Sequence, residues 1–92
     1  MLDLVRVDRV TQLPTSSPDV TEFTVYAMSC EPHPRSLVYR TLNPWRASLC
    51  QAAATSQQKI WITARVDATW RTKNITHVEW ERTSDLIDPR RI

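Results

Sequence analysis

Apolar and polar residues alternate along most of the chain, and the period changes only once. Across Leu2 to Thr11, Val5 and Val7 fall on one face, with Leu4, Arg6, Asp8 and Val10 on the other. Across Val20 to Ser29, Phe23, Val25 and Ala27 alternate with Glu22, Thr24, Tyr26 and Met28. A period of two marks a half-buried strand. Ser36 to Leu42 is a third, short strand, with Leu37 and Tyr39 facing one way and Val38 and Arg40 the other. The strongest strand is Lys59 to Trp70. Ile60, Ile62, Ala64, Val66 and Ala68 share one of its faces, and Trp61, Thr63, Arg65, Asp67 and Thr69 share the other. Ile75 to Arg82 is its partner, with Val78 and Trp80 inward and His77, Glu79 and Glu81 outward. The two make a β-hairpin across a turn at Arg71 to Asn74.

The helical period appears between the third and fourth strands. Asn43 accepts from the first free backbone N–H groups, and Pro44 at the first helical position loses no hydrogen bond. The helix runs to about Ser56, with an expected buried stripe of Trp45, Leu49, Ala52 and Ala53. Two Pro-bearing loops separate the earlier strands, Gln12 to Asp19 and Glu31 to Arg35. The tail from Thr83 to Ile92 has mixed charge and Pro89, and it is expected to fray, with Leu86 and Ile87 available to dock. The chain thus divides into one domain over residues 1–82 and a tail over 83–92.

The order strand, strand, strand, helix, strand, strand resembles the OB-fold, a five-stranded Greek-key barrel with a helix between its third and fourth strands. Asn43-Pro44-Trp45 at the helix start, the small-residue run Ala52-Ala53-Ala54 and the closing hairpin Lys59 to Arg82 carry the resemblance. The same arrangement is similar to the small B-subunit-like members of that fold, which assemble into rings. The resemblance implies a mainly β, OB-like five-stranded antiparallel barrel with one helix. The alternative is an open antiparallel sheet with one packed helix.

Composition narrows the chemistry. The chain has 92 residues and no Gly. Phosphate-cradling loops need Gly so that backbone can approach the phosphate. A P-loop, a dinucleotide fingerprint and a G-x-S-x-G nucleophile elbow are therefore excluded as motifs. Tight turns must use Asn, Asp, Ser or Pro, or be longer. Net charge is +2, and ten of the twelve cations are Arg. Arg suits bidentate contacts to carboxylate or phosphate and stacks on flat rings, although base composition of the genome gives the same bias. No run of eighteen apolar residues exists, so no membrane span is expected. The first ten residues lack a signal-peptide pattern. Two cysteines, Cys30 and Cys50, make no disulfide framework, so reduced thiols and a cytoplasmic location are expected.

The candidate ligand-binding residues are Trp61, Arg65, Tyr26, Tyr39, Arg40 and Arg71. Trp61, Thr63 and Arg65 share the strand face opposite the aliphatic row, and Tyr26 and Tyr39 join them if their strands are neighbours. Base–aromatic stacking tolerates any sequence, and Arg answers phosphate. Arg6, Arg9, Arg40, Arg65 and Arg71 would form a basic track; Asp8, Asp67 and Glu79 would neutralise it on a solvated surface. Cys30, His33, Cys50 and His77 hold the ligand types of a zinc site, but Cys50 lies on the helix and His77 on an outward strand face, so no metal or other cofactor is expected. His77 with Glu79 and Glu81 lacks the pocket that acid–base chemistry needs. Asn74-Ile75-Thr76 matches a glycosylation acceptor, yet Asn74 is better read as the turn residue standing in for Gly. The resulting expectation is a non-enzymatic binding module for single-stranded nucleic acid. The alternative is a self-assembling, protein-binding or glycan-binding module that uses the same aromatic face as an interface.

Overall fold

A computed structural model describes residues 2–69 and 71–81. Five strands and one helix follow one another as β1 (Leu2–Pro14), β2 (Thr21–Ser29), β3 (Ser36–Thr41), α1 (Pro44–Ser56), β4 (Lys59–Val66) and β5 (Lys73–Trp80). The strands close into a barrel in the order β1-β2-β3-β5-β4, so the open-sheet alternative is not what the chain forms. Four seams are antiparallel. The seam between β3 and β5 is parallel and rests on one pair, Arg40 with Asn74, which corrects the all-antiparallel expectation.

β1 makes closure possible. Its first half pairs with β4 and its length from Val5 onward pairs with β2. A register shift between Val7 and Arg9 bends it. A bulge of this kind needs Gly only where the extra residue takes a positive φ. Among the described residues only Gln57 and Arg71 have positive φ, so β1 bends without glycine. The shift also moves the inward phase by one residue. Val5 and Val7 are buried as alternation predicts, but Val10 packs against the core instead of facing out.

The core joins inward residues of every strand, with Val5, Val25, Tyr39, Ile60 and Ile62 fully buried. α1 adds Ala47, Cys50 and Ala53. This stripe corrects the expected one: Trp45 is 71 % exposed, Ala52 is exposed, and Leu49 is only partly buried. Small residues let the helix approach the barrel closely, so packing selected the Ala/Cys face over the face bearing Trp.

The closing hairpin has its turn earlier than the sequence suggests. β4 ends at Val66, which is 44 % exposed, so Val66 and Ala68 do not continue the inward row. Asp67 N–H donates to Thr72 O and Arg71 N–H donates to Asp67 O, both at 2.8 Å. Arg71 supplies the left-handed residue at φ 56, and Asn74 lies within β5. A second register shift, between Thr63 and Ala64, lets Ile75 and Val78 both point inward although three residues apart. Trp80 is 36 % exposed at the barrel end. Trp70, Arg82 and the tail Thr83 to Ile92, with Leu86 and Ile87, lie outside the described residues.

Candidate nucleic-acid interface

Pairing registers place the candidate residues on the barrel wall. On the outward side of β1, β2 and β3, Arg9, Tyr26 and Val38 form one cross-strand row. Thr11, Thr24 and Arg40 form the next. The Arg9 guanidinium lies 4.2 Å from the Tyr26 ring centroid, a cation–π contact that leaves the other side of the guanidinium plane to solvent. Val38 is 47 % exposed beside it.

Arg40 also lines a cleft of ≈ 590 Å³ between the end of β3, the start of α1 and the start of β5. Arg46, Glu22, Leu42 and Asn74 share that cleft. Glu22 holds Arg40 at 3.5 Å. The helix start is fixed by Asn43 Oδ1, which accepts from Trp45 N–H at 2.9 Å and Arg46 N–H at 3.1 Å. Thr41 Oγ1 in turn accepts from Asn43 N–H at 3.0 Å. Capping thus sets the direction in which the first turn projects, with Trp45 outward and Arg46 into the cleft. The sequence hid this role, because Trp45 fitted an apolar stripe that packing did not use.

The six candidates therefore separate. Tyr26 and Arg40 lie in adjacent rows of one face. Arg65 pairs with Asn74, which bridges to Arg40, so Arg40 and Arg65 stand two strands apart in a single row. Arg71 occupies the β4–β5 turn. Trp61 is on the other flank of β1, half-buried between Leu4 and Glu79, and Tyr26 is not its neighbour. Tyr39 is not on the surface at all. It is fully buried, and its hydroxyl donates to Asp3 Oδ2 at 2.9 Å. Burial first, and then the bond to Asp3, push its pKa well above the ordinary tyrosine range.

The remaining chemistry-bearing residues disperse. Cys30 and Cys50 are free thiols. Burial pushes the Cys50 thiol up to about 12. Among the described residues no three His, Cys, Asp or Glu side chains gather as a metal site would need. His77 lies 3.9 Å from Glu79 on an exposed strand face. Among the described residues no helix is long and apolar enough to cross a membrane. No family model, curated protein or solved structure matches the chain, so the residues themselves carry the functional argument.

Proposed function

We propose that this chain is an OB-like, non-enzymatic module that binds single-stranded nucleic acid across the outward face of β2 and β3 and the cleft at the start of α1. The observation that carries the reading is the joining of two flat-stacking groups to two cations along one path. The Arg9–Tyr26 stack lies at one end, Arg40 and Arg46 line the cleft, and Trp45, 71 % exposed, precedes Arg46 in the first turn of α1. The barrel order with its helix after β3 is compatible with the OB fold, in which the face of the second and third strands takes oligonucleotides. Rows along a strand repeat every two residues, about 6.6 Å, so bases and phosphates can meet successive rows. Arg65 and Arg71 extend the positive side beyond Asn74. Trp61 has carboxylates as neighbours and is not part of this path.

Anisotropy of a labelled mixed-sequence oligonucleotide tests the reading at low and moderate salt. Binding should weaken steeply with salt, as counterions are released from phosphate. Trp45→Ala should weaken it roughly tenfold, within the 1–3 kcal/mol range of a base–aromatic stack. Arg40→Ala should lower both affinity and salt slope, and Glu22→Gln should raise affinity by freeing Arg40. No binding at low salt, or binding indifferent to Trp45 and Arg40, sinks the proposal.

A further inference from the structure

β4 accompanies β1 only from Leu2 to Arg6, so on that edge no strand lies beside Val7 to Pro14 among the described residues. β2 holds the other edge of β1 as far as Pro14. α1 packs chiefly on β1, and a groove of ≈ 270 Å³ remains between the helix and the β1–β2 pair. Val10 and Phe23 form its strand wall, and Pro44, Ala47 and Gln51 form its helix wall. Gln12, paired with Phe23, and Gln51 bring side-chain amides to it, and no charged side chain lines it. A groove without cations has nothing to offer phosphate, so the nucleic-acid path does not use it. Apolar walls with a few amides suit aliphatic side chains carried on an extended segment, whose backbone the amides can meet.

We infer that this groove is the docking site of the chain's own C-terminal tail, with Leu86 and Ile87 as the side chains that enter it. Strand direction leads the tail there. β1 and β5 both run antiparallel to β4, so they run parallel to one another. Trp80, Ile60 and Val5 form one cross-strand row at the end of β5. A chain leaving β5 therefore heads the same way as β1 does from Val5 to Val10, along the edge that β4 leaves unpaired. The lengths agree. Val10 lies five residues past Val5 and two strand spacings across from β5, a diagonal of about 19 Å. Leu86 lies six residues past Trp80, an extended reach of about 20 Å. Composition selects the same residues. From Thr83 to Ile92, Leu86 and Ile87 are the one adjacent apolar pair, and the charges around them, Asp85, Asp88, Arg90 and Arg91, suit solvent. Tethering favours this occupant over a free partner, because a short linker supplies a millimolar effective concentration. Docking also covers the unpaired edge of β1, which is otherwise open to pairing with another chain. None of the nucleic-acid contacts enters the inference, so it stands without that reading.

Nuclear Overhauser spectra of the full chain, without oligonucleotide, are the test. The Leu86 and Ile87 methyl groups should give cross-peaks to the Ala47 methyl group and the Phe23 ring. Leu86→Ser with Ile87→Ser should abolish them and shift the Ala47 and Val10 resonances, while barrel resonances away from the groove stay in place. Ser48 and Gln51 are exposed positions that line the groove. Ser48→Glu with Gln51→Glu should abolish the same cross-peaks by charging the helix wall, while circular dichroism reports an intact fold. Isotope-filtered spectra of a mixed labelled and unlabelled sample separate the chain's own tail from that of a second copy. Cross-peaks found only between labelled and unlabelled chains put a second copy's tail in the groove and overturn the inference. The absence of tail-to-groove cross-peaks in the native chain overturns it too, as does a set that survives charging of the groove.

Discussion

Among the described residues, Tyr39 and Cys50 are the fully buried titratable side chains, and burial is the largest cause of the upward pKa shift in each. A proton held more tightly in the folded than in the unfolded state gives its full stabilisation only below the unfolded pKa. Stability should therefore be level near neutrality and fall as pH rises. The loss begins near 9, where an unfolded Cys50 ionises, and steepens near 10, where an unfolded Tyr39 follows. Every tenfold difference in proton affinity between the folded and unfolded states is worth about 1.4 kcal/mol. Urea midpoints across pH 7 to 10.5 check this, and Cys50→Ala should flatten the first part of the decline. A flat profile in the native protein would show that neither proton is held by burial. Tyr39 also marks a limit of single-residue reading. Alternation put it opposite Arg40 correctly, but nothing local announced that its hydroxyl would reach Asp3, thirty-six positions away. Trp45 failed in the other direction. It fitted a helical stripe, and it is exposed because the Ala47, Cys50 and Ala53 face fits the barrel more closely.

At the level of elements, the strand faces were legible wherever a strand keeps one phase. Val25 and Ala27, Leu37 and Tyr39, and Ile60, Ile62 and Ala64 are all buried as their period of two requires. The reading failed past the register shift on β1, at Val10, because one extra residue reverses every later side chain. The helix start was legible from Asn43 and Pro44, since capping is a local bond. Its end was not. Gln58 N–H donates to Ala53 O at 3.2 Å and Gln57 N–H to Ala54 O at 3.4 Å, with Gln57 at φ 57 where glycine is usual. A left-handed residue with a Cβ costs about 1–2 kcal/mol, and glycine returns part of that gain as entropy of the unfolded chain. Gln57→Gly should accordingly stabilise the protein by about 1 kcal/mol, read from the thermal or urea midpoint. A destabilised variant would mean that the Gln57 side chain contributes more than its backbone costs.

For the whole molecule, closure is uneven. β1 and β2 share nine registered pairs, whereas β3 and β5 share the single pair Arg40 with Asn74. Amides at the β3–β5 seam should exchange with solvent at least about tenfold faster than those between β1 and β2, since sparsely bonded regions open locally. Equal protection at both seams would show that side chains around the seam, rather than its one bridge, hold it shut. The same uneven closure explains the candidate sites. Arg40 lies where the thin seam meets the helix start, so a cleft forms there. Trp61 lies on the well-paired flank, where β1 brings Leu4 and β5 brings Glu79. By itself the sequence determined the element order, the mainly β character, the helix start and most inward faces. Each of these depends on bonds and periods spanning a few residues. Only the tertiary structure decided where strands bend, which helix face packs, and that Trp61 and Tyr26 stand on different flanks. Those outcomes depend on which distant strands become neighbours when the barrel closes, and a local period carries no record of that.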